Sequence, residues 1–131
     1  MEAVTFSNLT YEVQMTILKG VRGGMFFRQV GTQGPYYYSI KIDGSYELDS
    51  FDGTISHVLQ RGTSPAVKRG LNQPNLLAIV AQGSSLDLYV NGQSTLLLTD
   101  STTSSGLIGV AADATDQPAE VSFGNARVWI L

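Results

Sequence analysis

Apolar and polar residues alternate at period two along most of the chain. This is the pattern of strands that keep one face in a core and the other in water. Leu9, Tyr11, Val13, Met15 and Ile17 share one face, and Thr10, Glu12, Gln14 and Thr16 share the other. Residues 19–24 read as a turn, and a strand that starts at Met25-Phe26-Phe27 carries Arg28. After a loop over residues 31–35, Tyr36, Tyr38, Ile40 and Ile42 fall on one face, which forces Tyr37 to the opposite one. Residues 75–82 are mostly apolar and read as a central strand. Asp43-Gly44, Asp52-Gly53 and above all Asn91-Gly92 are hairpin signals, because these residues tolerate the positive φ that tight turns need. Residues 57–60 read as a short strand, residues 107–112 as another, and residues 120–130 as the last. The longest irregular stretch, residues 61–74, holds Gly62, Pro65, Gly70 and Pro74. A helix fits only near residues 64–69, with Pro65 in its first turn. About ten short strands with regular turn signals predict an all-β antiparallel sandwich.

Composition narrows the chemistry. The 131 residues set one domain over residues 1–131 as the expectation. No cysteine is present, which excludes disulfide frameworks, iron–sulfur sites and cysteine nucleophiles. The single histidine, His57, excludes multi-histidine metal sites. Charged residues are 15% of the chain and the formal net charge is -3, so electrostatic capture of nucleic acid is not expected. The longest apolar run, residues 76–81, has strand length, far short of the roughly 20 residues of a membrane span. No membrane contact by this domain is expected, and its protein partners are open.

A set of segments carries a family likeness. Gly23-Gly24-Met25-Phe26-Phe27-Arg28 precedes Tyr36-Tyr37-Tyr38-Ser39-Ile40 and Gly44-Ser45-Tyr46-Glu47-Leu48. Leu86-Asp87-Leu88-Tyr89-Val90-Asn91-Gly92 and Gly106-Leu107-Ile108-Gly109-Val110 follow, and the chain closes with a Phe-x-Asn-x-x-Val ending over residues 123–128. This order resembles the concanavalin A-like lectin/glucanase sandwich domains, in the branch related to bacterial 3-keto-disaccharide hydrolase-type domains. The resemblance implies a jelly roll of two curved antiparallel sheets. It also implies a module from the C-terminal part of a longer bacterial protein, in an extracellular or cell-surface portion. These are scaffold motifs, and activity does not follow from fold.

Candidate chemistry is sparse. The Glu-x-Asp-x-x-Glu spacing of catalytic glucanases is absent. Glu47 and Asp49 share a strand face, which reads as a wet face near a turn. Asp49, Asp52, Asp100, Asp113 and Asp116 lie in or near turns, where aspartate commonly caps the backbone. A structural calcium on some of them is the lesser alternative, and no other cofactor is expected. Tyr37, off the core, is the clearest binding feature, since an exposed phenol ring stacks on sugars. Arg28, expected to share a face with Lys41, and the histidine His57 complete the candidate ligand-binding set of Arg28, Tyr37, Lys41 and His57. No catalytic residue is assigned. The expectation is a non-catalytic binding module with carbohydrate as the partner, on the concave sheet. The alternatives are a glycoside-cleaving enzyme, as the family likeness implies, and a structural or assembly domain.

Overall fold

A computed structural model describes residues 5–31, 35–113 and 118–131. Among the described residues ten strands run in chain order. They are β1 (Leu9–Lys19), β2 (Arg22–Gln29), β3 (Tyr36–Lys41), β4 (Ser45–Phe51), β5 (Ser56–Thr63), β6 (Pro74–Gln82), β7 (Ser85–Val90), β8 (Gln93–Thr99), β9 (Leu107–Asp113) and β10 (Glu120–Ile130). They form two five-stranded antiparallel sheets, ordered β10-β1-β6-β7-β8 and β5-β4-β3-β2-β9. The fold is the expected jelly-roll sandwich, and β6 is central in its sheet.

The inner faces hold the two sheets together. Leu9, Tyr11, Val13, Met15 and Ile17 of β1 are buried in strict alternation. Leu77, Ile79, Leu86, Leu88 and Val90 extend that face across β6 and β7. Met25, Phe27, Tyr36, Tyr38, Ile40 and Leu48 meet it from the other sheet, with Phe27 stacked on Tyr36 at 5.1 Å between ring centroids. Each such side chain contributes roughly 1.5–3 kcal/mol on burial, which lets a chain with no disulfide stand on its core alone.

Two local expectations are corrected. The turn predicted over residues 19–24 shrinks to Gly20-Val21, because β2 already begins at Arg22. No helix occurs among the described residues, and residues 64–73 form a loop instead. That loop sends Val67 into the core and is tied down by amides. Asn91, at φ 50° in the Asn91-Gly92 hairpin, donates from Nδ2 to the Ala66 carbonyl and to Asn75 Oδ1, both at 2.8 Å. Its Oδ1 accepts the Leu76 N–H at 2.9 Å. Gly92 follows at φ 83°, so the turn has the two positive φ values its sequence announces.

Arg28 departs from simple alternation. Phe27 points inward, so Arg28 should point out, but it sits in a bulge where the β2–β9 register shifts, at φ 57°. The bulge swings the side chain into the end of the sandwich, where it is 0% exposed. Nη1 donates to the carbonyls of Gly83 at 2.7 Å and Thr103 at 3.4 Å, and Nη2 to that of Ser7 at 3.0 Å. One guanidinium thus pins three loops. Replacing it leaves the buried Thr103 carbonyl and two half-covered ones without this donor, at about 1–3 kcal/mol in total where the gap cannot be refilled. Arg28→Met should therefore lower unfolding stability by about 2 kcal/mol in urea, with an unchanged denaturant slope. A change below about 0.5 kcal/mol would show that water replaces the guanidinium without cost.

Candidate functional site

The sheet β5-β4-β3-β2-β9 turns a second set of residues outward. Register places Phe26, Tyr37 and Asp49 in one row, and Ser39 and Glu47 in the next. Arg22 follows on β2, opposite Asp113 of β9 on one side and Lys41 of β3 on the other. A cleft of about 420 Å³ opens on this face. It is lined by Phe26, Pro35, Tyr37, Asp49, Phe51, Ser56, Ala111, Ala112 and Asp113.

The Phe26 ring sits against Gly109. A Cβ at Gly109 would come within 2.2 Å of the Phe26 ring, so glycine is what admits the ring there.

Arg22 organises the polar end. Its Nη2 lies 2.8 Å from Glu47 Oε2 and 2.7 Å from Asp49 Oδ2, and its Nη1 lies 3.4 Å from Asp113 Oδ2. Nε donates to Ser39 Oγ at 2.6 Å, and the guanidinium carbon sits 5.1 Å from the centre of the Tyr37 ring. Every hydrogen-bonding side of the fork is engaged, which fixes the acids in place.

Burial pushes the Asp49 carboxyl up to about 6, against the lowering pull of Arg22 and with the neighbouring Glu47 adding to the rise. Asp49 is 7% exposed, and its Oδ1 has no hydrogen-bond partner among the described residues. Burial also pushes the Tyr37 phenol up to about 12, so it stays a neutral donor, aimed at the Ala111 carbonyl at 3.4 Å.

The sequence-named candidates divide. Tyr37 lines the cleft, and Lys41 lies on the same face two rows further along β3. Arg28 does not reach this face, because the bulge buries it among carbonyls. His57 is exposed on β5, its Nε2 2.8 Å from Asp52 Oδ2. Asp52 also caps the β4–β5 turn, and the N–H groups of Ile55 and Thr54, with His57, hold it down at about 2. Its neighbour Ser56, not His57, lines the cleft. Glu47 and Asp49, read as a wet strand face, are in fact buried against Arg22. Arg22, Phe26, Phe51 and, as a cleft residue, Asp113 were missed. The available signal was Glu47-x-Asp49 beside the outward Tyr37.

Of the aspartates considered for calcium, Asp49 and Asp113 hold Arg22 and Asp52 holds His57. Asp100 accepts the Tyr36 hydroxyl and the Thr102 N–H, and Asp116 lies outside the described residues. No group of three or more His, Cys, Asp or Glu side chains among the described residues has metal-holding geometry.

A family model for the 3-keto-alpha-glucoside-1,2-lyase-like domain matches residues 2–129. The chain belongs to this family. No curated protein matches it. Solved structures resemble this 3-keto-alpha-glucoside-1,2-lyase-like domain closely in shape. The carbohydrate binding module CBM66 from Bacillus subtilis aligns over 95% of this chain and 76% of its own, with a TM-score of 0.82 and 20% identity. The galectin LEC-6 of Caenorhabditis elegans aligns over 98% and 91%, with a TM-score of 0.71 and 16% identity. A mutant of the GH43 protein BlXynB from Bacillus licheniformis aligns over 95% of this chain but 28% of its own, with a TM-score of 0.70 and 13% identity. At these identities the likeness is one of fold.

The raised Asp49 has a stability consequence. Between its ordinary value near 4 and its folded value of about 6, the folded state holds more protons than the unfolded one. Stability contributed by Asp49 therefore falls as pH rises through that window. Relative to Asp49→Asn, the wild type should lose about 2 kcal/mol between about pH 4 and about pH 7 in urea unfolding. Parallel pH profiles for the two proteins would refute the shift.

Proposed function

We propose that the outer-face cleft binds a saccharide and that the domain is a non-catalytic binding module. The observation that carries this reading is the pairing, in one recess, of the rings of Phe26, Tyr37 and Phe51 with the fixed carboxylates of Asp49 and Asp113. Ring faces pack on the C–H faces of a pyranose or furanose, and carboxylates accept its hydroxyls. The volume lies in the usual range for small-ligand sites. Strands rather than loops hold these side chains, so little ordering is needed on binding. The family's name refers to a glucoside, and one structural neighbour is called a carbohydrate binding module, which supports the same reading.

Calorimetry with a panel of neutral and modified disaccharides tests this. Tyr37→Ala should weaken binding by about tenfold or more through loss of the stacked ring. Absence of heat or chemical-shift change with every sugar at about 10 mM would end the reading.

One observation favours a second reading, catalysis. A carboxyl at about 6 in a cleft is suited to take up or give a proton near neutrality. In a 1,2-elimination of a 3-keto glucoside, the base removes the proton at C2, which the C3 carbonyl acidifies. The C1–O bond breaks, and the aglycone leaves with its electron pair to be protonated. Asp49 would be the base. Turnover of a 3-keto disaccharide by the wild type, lost in Asp49→Asn, would establish this over simple binding.

A further inference from the structure

We infer that the cleft holds an internal stretch of a linear polysaccharide, laid across the strands so that the chain runs on past both edges of the sheet, which rests on the saccharide reading above. The cleft crosses the sheet instead of following a strand. Every strand of the sheet lines it: Ser56 of β5, Asp49 of β4, Tyr37 of β3, Phe26 of β2 and Ala111 of β9. β5 and β9 are the two edge strands of that sheet. With a spacing of about 4.8 Å between neighbours, they lie about 19 Å apart, which is room for a short oligosaccharide and not for one sugar ring alone.

The walls run in the same direction. Pro35 accepts the Phe51 N–H at 3.2 Å and Phe51 pairs with Ser56, so these three form one row across the strands. Phe26, Tyr37 and Asp49 form the next row. Beyond it the Arg22 guanidinium reaches back to Asp49 at 2.7 Å and bounds the opposite side. The ends, by contrast, are low. The row of Phe26 meets β9 at Gly109, and the following row meets it at Ala111. Of the described lining residues on the edge strands, Ser56, Ala111 and Ala112 are small, and Asp113 is turned to Arg22 at 3.4 Å. Val58 and Arg61 border the β5 end, opposite Asp49 and Glu47 in register, and neither lines the cleft.

The contacts are spread along the groove as well. A site for a chain terminus needs a blocked end and polar groups gathered on the terminal hydroxyls. Here Ser56 and Asp113 stand on opposite edge strands, with Asp49 between them. The rings of Phe26 and Tyr37 are direct cross-strand neighbours, so successive sugar units meet successive strands. Each added unit gains new contacts until the chain reaches the edges.

The test is calorimetry of the full chain with fragments of cellulose, laminarin, xylan and inulin, each from disaccharide to hexasaccharide. In a series that binds, affinity should rise about tenfold or more from disaccharide to tetrasaccharide and then level off. The hexasaccharide should keep its affinity when the reducing end carries a fluorophore and the other end a bulky ether. Ser56→Leu and Ala111→Leu, which raise the two exits, should each remove most of the gain with length, with circular dichroism confirming that the variants fold. The length series on the unaltered chain decides the matter if they do not. Equal affinity for disaccharide and tetrasaccharide, or loss of hexasaccharide binding when either end is capped, overturns the internal-chain inference and leaves the saccharide reading standing. Binding of no fragment at any length overturns both.

Discussion

Two five-stranded sheets with no covalent tie stay together only while their facing surfaces remain apolar and close-packed. Because strand side chains alternate, each inward residue fixes the direction of its neighbours. Met25 and Phe27 inward put Phe26 outward, Tyr36 and Tyr38 inward put Tyr37 outward, and Leu48 inward puts Glu47 and Asp49 outward. The cleft is therefore the reverse side of the core. Its floor is as rigid as the packing behind it.

On that outward surface Arg22 plays the part that apolar contact plays inside. Its fork joins β2 to β4 and to β9, spanning neighbours 27 and 91 residues away in the chain. The acids it gathers would repel one another without it. With it they form a fixed wall, in which burial, with Glu47 adding to it, lifts Asp49.

Much of the architecture was legible in the sequence. Alternation put Tyr37 on the face opposite Tyr36 and Tyr38, a mostly apolar run marked β6 as central, and the Asn-Gly pair located the hairpin at Asn91-Gly92. The site was legible only in fragments. Glycines at 20, 23 and 24 made residues 19–24 look like a turn, whereas two of the three lie inside β2 beside Arg22. Asp113 looked like a turn residue because nothing local announces a partner 91 positions earlier. Arg28 was misassigned for a different reason: alternation assumes regular pleating, and the bulge at φ 57° breaks it at that residue. Period-two reasoning finds faces. It does not find bulges or long-range ion pairs.

Gly109 gives the recess an unusual point of control. The ring of Phe26 forms a wall of the cleft by lying where a side chain at position 109 would be, and Gly109 itself does not line the cleft. Divergence at this position would tilt a wall without altering any group that touches the ligand. Related sequences with identical contact residues can then differ in the width of ring they accept, and a comparison restricted to the contact residues would overlook the cause.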